Sequence, residues 1–184
     1  MKYLKLFESF DEETLYRNTS IQWLMDFLRK GSAKPYGDKR RYISFSKKED
    51  SGGQDTYGDI RIDFNAKELY TQGAIEVEYV TDFFDEHPEI CRYVTGYESE
   101  DEYYKENGYE SAEDYTANNA DDADTIPWES NIEDYEAEAE VVIKNLKFKD
   151  GLITKVTVPE KLKNTDFDRD FNFMKEKGLT VEFR

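Results

Sequence analysis

Five side chains in this 184-residue chain fall in an order that can do chemistry: Arg17, then Ser44 and Ser46, then Glu138 and Glu140. A guanidinium offers N–H donors in a rigid plane and makes paired, charge-assisted bonds to phosphate oxygens. Ser44 and Ser46 are two residues apart, so on a strand their hydroxyls share a face, and the same holds for Glu138 and Glu140. A fixed carboxylate can stabilise a developing positive charge, and a second one beside it can take a proton. Each piece also has a plain reading: a surface ion pair, a polar strand edge, a chance Glu-x-Glu in an acidic stretch. Glu136 shares the face of Glu140 as well, so the register of the carboxylate pair is open by one step.

These residues need elements to position them. Thr14-Leu15-Tyr16 predicts a short strand that delivers Arg17. Ile21, Leu24, Met25 and Leu28 recur at i, i+3, i+4 and i+7, which predicts an amphipathic helix with Thr19 or Ser20 as its cap and Gly31 at its end. Tyr42 to Ser46 reads as a strand carrying both serines. Asp59 to Asn65 alternates Ile60, Ile62 and Phe64 as a half-buried strand does, and Ile75, Val77 and Tyr79 predict another. Glu138 to Ile143 and Gly151 to Val158 read as later strands, with a loop or extended turn over Lys144 to Asp150. A helix through Phe167, Phe171 and Met174 and a last strand over Leu179 to Phe183 complete the pattern. Strands separated by few helices predict an α+β fold with antiparallel or mixed sheets.

Charge divides the chain. Between Glu98 and Glu140 there are 17 acidic residues and one basic residue, Lys105, within a total net charge of −17. The tyrosines from Tyr97 to Trp128 show little periodicity. That stretch reads as an acidic insertion, about residues 97–133, with one helix near Asp101 to Lys105. The rest of 14–184 is expected to form a single domain behind an N-terminal leader or amphipathic helix, 1–13. With 14 Tyr and 12 Phe, rings can fill a core despite a hydrophobic fraction of 38%.

The same composition excludes several classes. Phosphate-backbone binding by the acidic segment has the wrong sign. No apolar run reaches the roughly 20 residues that span a bilayer, and the start is no secretory signal. One cysteine (Cys91) and one histidine (His87) supply neither a disulfide framework nor a zinc site, and a cytoplasmic location is expected. Asp166-x-Asp168-x-Asp170 lacks the glycine and bidentate glutamate of a calcium loop and reads as a solvated turn; Asp121-Asp122-Ala123-Asp124 reads as a solvated loop. His87, before Pro88, reads as structural, Trp23 as core or core edge, and Trp128 as a lid or core anchor.

Taken in order, Tyr-Arg-x-Thr before an amphipathic helix, Ser-x-Ser on a strand and Glu-x-Glu entering an apolar strand resemble the Arg-Ser-Glu class of ADP-ribosyltransferases. The resemblance covers roughly Leu15 to Val158, apart from the acidic insertion. It implies split β-sheets with flanking helices enclosing NAD, which is the substrate. It gives Arg17 to the phosphate and ribose side of NAD, and Ser44 to the nicotinamide ribose and the catalytic carboxylate, with Ser46 secondary. It makes Glu140 the catalytic glutamate that holds the ribose 2′-hydroxyl and stabilises positive charge as nicotinamide leaves. Glu138 would activate the acceptor, and Glu-x-Glu implies an arginine on a protein. The chain departs from the family at Asn18, where glycine is usual, and at Phe45, where serine or threonine is. Met1 to Phe10 resembles leaders of large tailed-phage proteins, and Leu6-Phe7-Glu8 followed by Ser9 is similar to a prohead-protease signal. That implies a phage-borne enzyme acting on a host protein, packaged in the virion or working in the host cytoplasm. The alternatives are a non-catalytic acidic interaction protein, either a nucleic-acid mimic or a binder of a basic partner, and a virion structural protein.

Overall fold

The computed structural model describes residues 13–35, 42–49, 58–119, 128 and 141–184. The expected leader helix over Lys2 to Phe10, the Asp121 to Asp124 loop, and Glu136, Glu138 and Glu140 lie outside them. The fold is mixed α+β, in two compact units: residues 1–76 with 141–184, and Val77–Glu140.

The first unit is built on strand alternation. β1 (Thr14–Thr19) lies antiparallel to β4 (Ile60–Asn65), which pairs antiparallel with β8 (Ile153–Val158), and β8 runs parallel to β9 (Val181–Phe183). A second sheet has the order β3 (Ile43–Phe45), β6 (Val141–Ile143), β5 (Ile75–Glu76), all antiparallel. β2 (Ser32–Ala33) and β7 (Leu146–Lys147) form a two-stranded ribbon. β7 occupies the stretch expected to be a loop. β5 is shorter than the Ile75-Val77-Tyr79 alternation predicts, and Ile75 is 36% exposed, so only half of that pattern faces a core.

On the four-stranded sheet, Leu15, Ile60, Ile62, Phe64, Val156 and Val158 line one face and join the core. Helix α1 (Ile21–Lys30) packs there with Leu24, Met25, Phe27 and Leu28 buried. Ser20 caps it by accepting from the Trp23 N–H, and Gly31 ends it at φ 68°, as the sequence predicts. α2 (Ala66–Thr71) follows β4 directly, capped by Asn65. The late helix α7 (Asp168–Glu176) buries Phe171 and Met174, and Asp170 pairs with Arg29 of α1 at 3.1 Å.

The opposite face of that sheet is polar yet covered. Arg61 is 5% exposed; its guanidinium donates to Asp63 at 3.2 Å and pairs with Glu49 at 2.8 Å. Lys155, across the register from Asp63, pairs with the same carboxylate at 3.2 Å. Charges alternating on a strand normally mark a solvated face; here they pair among themselves, which is what burial demands.

Gly58 enters β4 at φ +121°, and a Cβ there would stand 2.5 Å from the Thr19 carbonyl carbon and 2.7 Å from the Ser20 nitrogen. Both the backbone conformation and the close approach demand glycine. Gly58→Ala is expected to lower stability by about 2–3 kcal/mol. Urea denaturation checks this; an unchanged midpoint would show that the turn from β1 into α1 has room to give.

The second unit holds α3 (Thr81–Glu86) and α4 (Pro88–Thr95), with His87 between them and its ring 4.6 Å from Phe83. α5 (Glu100–Glu106) and α6 (Ala112–Asn118) follow. The scattered tyrosines gather here. Tyr103 contacts Tyr97, Tyr104 and Trp128 with centroids 5.2–5.5 Å apart, and Tyr115 contacts Tyr104 and Tyr109. Rings do the work that aliphatic residues cannot in so polar a segment. Trp128 is buried, so it serves as an anchor of this cluster.

Candidate functional site

Among the described residues, the four-stranded and three-stranded sheets of the first unit are joined by backbone pairing at one place. Tyr16 and Ser46 exchange backbone hydrogen bonds of 2.8 and 2.9 Å, and the pairing stops there as an isolated bridge. Two residues earlier on β3, the Ser44 carbonyl accepts from the Arg17 Nη1 at 2.7 Å, and the Ser44 Oγ lies 3.4 Å from the same nitrogen. Past that bridge β1 and β3 belong to different sheets, and the contact between them there is the Arg17 side chain on Ser44.

Strand register explains why Arg17 reaches this seam. It stands opposite Ile62, on the face shared by Leu15 and Thr19, so its half-buried stem runs along the core side of β1. Tyr16 and Asn18 alternate to the other face, opposite Asp63 and Arg61. The guanidinium carbon stands 5.1 Å from the centre of the Trp23 ring. Trp23 was missed as a site residue because its spacing marks only the helix edge; six residues after Arg17, across a capped turn, it returns to the same place.

The Ser-x-Ser pair divides its labour. The Ser46 Oγ accepts from the Lys48 N–H at 3.0 Å and shapes the turn after β3, while Ser44 meets Arg17. Phe45, the departure from the family pattern, is 1% exposed and packs edge-on against Phe64 with centroids 5.0 Å apart. The strand alternation that points Ser44 away from the core makes an apolar residue at 45 fit. Beside the seam Lys47 pairs with Glu76, tying the end of β3 to β5.

Of the carboxylates, Glu138 and Glu140 lie outside the described residues. Val141, the next residue in the chain after Glu140, pairs with Phe45 on one side and Glu76 on the other. β3, with Ser44, and β6, which Glu140 leads into, are therefore adjacent strands.

No protein-family model matches the chain, and no curated protein matches it. The site must be argued from its own geometry.

That geometry offers a guanidinium that stands over an indole ring and donates to a carbonyl at 2.7 Å, with a hydroxyl 3.4 Å away. A guanidinium suits a phosphate or a carboxylate. Among the described residues no group of His, Cys, Asp and Glu is placed to hold a metal ion, and no helix is long and apolar enough to cross a membrane. Asp166, Asp168 and Asp170 sit at the start of α7, with Asp170 engaged by Arg29. Cys91 is buried, desolvation pushes its thiol pKa up, and it contacts the Thr95 hydroxyl; a protonated, enclosed thiol is a poor nucleophile.

Proposed function

We propose that the chain is an NAD-dependent mono-ADP-ribosyltransferase that modifies an arginine on a protein acceptor. The observation that carries this reading is the Arg17–Ser44 contact at the parting of two sheets. A guanidinium and a serine from strands 27 residues apart meet there, in the chain order the family uses. The resemblance assigns Arg17, Ser44 and Ser46 to NAD and Glu140 and Glu138 to the chemistry.

In this reaction the bond from the ribose C1′ to the nicotinamide nitrogen breaks, and nicotinamide leaves with the electron pair. The C1′ centre becomes oxocarbenium-like, and the Glu140 carboxylate stabilises it. The acceptor guanidine nitrogen bonds to C1′ and loses its proton to Glu138. Arg17 contributes by holding the pyrophosphate so that the ribose is presented in one orientation. The leader resemblance supports a phage-borne enzyme that acts in the host cytoplasm after release from the virion.

The test uses NAD labelled separately in its adenylate and nicotinamide halves, incubated with the protein and a bacterial lysate. Adenylate label on a protein band together with free nicotinamide is the expected result. Nicotinamide that stays bound in NAD throughout would end the enzyme reading.

A second reading has its own observation. The unit Val77–Glu140 carries 22 acidic and two basic residues, whereas the remainder carries 20 acidic and 23 basic. The excess of negative charge therefore sits wholly in one compact module, and the remainder is slightly basic. That supports an acidic interaction protein whose partner is a basic protein surface. Binding that weakens steeply with salt and survives Arg17→Ala would favour it over catalysis.

A further inference from the structure

We propose that Trp23 is the positioning residue for Arg17, holding its guanidinium in place before any ligand arrives. This deepens the reading of Arg17 as the NAD phosphate ligand and rests on it for its functional consequence. A guanidinium has two surfaces with different uses. Its five N–H donors lie in the plane, and its faces have none. A contact to the edge consumes donors, whereas a ring against the face consumes none and still restrains rotation. The Arg17 guanidinium carbon stands over the Trp23 ring, 5.1 Å from its centre, within reach of a cation–π attraction that restrains the group.

The indole is itself held. Its own backbone N–H is the one that caps α1 on Ser20, which fixes where the first turn begins. Its ring lies 5.4 Å from Phe27, and Phe27 meets Phe148 edge-on at 5.8 Å. Phe27 is buried, so the indole rests on a rigid base and not on solvent. Arg17 is thus restrained by the indole on one side and by Ser44 of β3 on another.

The experiment separates this role from the NAD reading. With 15N-arginine labelling, the Arg17 Nε–Hε signal is assigned by its loss in Arg17→Lys. It is expected to be displaced by the indole ring current in the free protein, less displaced in Trp23→Phe, and at the position of a solvated arginine in Trp23→Met. NAD affinity by calorimetry is expected to follow, about five- to tenfold weaker in Trp23→Met and within about twofold of wild type in Trp23→Phe. An Arg17 signal at the solvated position in the wild type overturns the proposal without any variant having to fold, and so does a signal unmoved by Trp23→Met. A displaced signal in a protein that takes up no NAD upholds the positioning role and removes the NAD reading instead.

Discussion

Glu140→Ala is expected to reduce ADP-ribose transfer at least about a hundredfold while leaving NAD affinity within a few-fold of wild type. The asymmetry follows from where charge develops. On the proposed reading, the nicotinamide already carries the positive charge in the ground state and Arg17 holds the phosphates. As the C1′–N bond lengthens, charge moves onto the ribose, and only then does a carboxylate at that ring gain in strength. A group whose interaction grows between substrate and transition state affects kcat far more than binding. Glu138→Gln should behave differently. Its proton-accepting role concerns the acceptor, so nicotinamide release to water continues while arginine labelling falls. Measuring nicotinamide release and protein labelling side by side resolves the two. Equal labelling by wild type and Glu140→Ala would take Glu140 out of the mechanism, and the one-step register alternative, Glu136, would be tested next.

The largest expected effect on stability belongs to Arg61→Ala, at about 3 kcal/mol. Arg61 is almost fully enclosed, donates to Asp63 and Glu49, reaches the Thr157 hydroxyl at 3.4 Å, and lies with its guanidinium carbon 5.7 Å from the Tyr16 ring centre. Truncation removes that packing and strands the buried Asp63 carboxylate. Lys155 remains beside Asp63, which keeps the loss below the upper end for a broken buried pair. The double variant Arg61→Met with Asp63→Leu should recover most of the loss, because no buried charge is left unpaired: Lys155 keeps Glu182 at 3.9 Å and Glu49 keeps Arg184 at 3.5 Å. Urea midpoints of the single and double variants check this. A single variant within about 1 kcal/mol of wild type would mean that solvent reaches the network.

Much of the frame was legible because local chemistry and burial agree. In α1 the apolar stripe, the Ser20 cap and Gly31 all specify one helix. In β4 and β8 alternation matches one buried face. Legibility failed where one signal stood without the others. Ile75 alternates with Val77, yet only Val77 is buried, and the strand stops at Glu76. In the acidic stretch apolar periodicity is weak, and of the two helices α5 and α6 among its described residues only the one near Asp101 is predicted by the sequence. The missing signal was capping. The Ser99 and Ser111 hydroxyls accept from the N–H of Glu102 and Asp114, whose carboxylates bond back to the N–H of Glu98 and Glu110. A serine followed three residues later by an acid is a capping-box signature, and here it marks both of these helix starts.

For the site, sequence order brought Arg17 and Ser44 to notice, and register explains why they touch. Trp23 could not be found that way, since its role depends on the turn between β1 and α1 folding back over Arg17. Arg61 and Asp63 were equally hidden, because charges at alternate strand positions look the same whether solvated or enclosed.

The central claim is that Arg17 anchors a dinucleotide, and titration calorimetry with NAD tests it most directly. Wild type is expected to take up one equivalent of NAD, and Arg17→Ala to bind at least about tenfold more weakly, as befits loss of a charge-assisted phosphate contact. Folded wild-type protein that releases no heat on NAD addition, or Arg17→Ala binding as tightly as wild type, would contradict it.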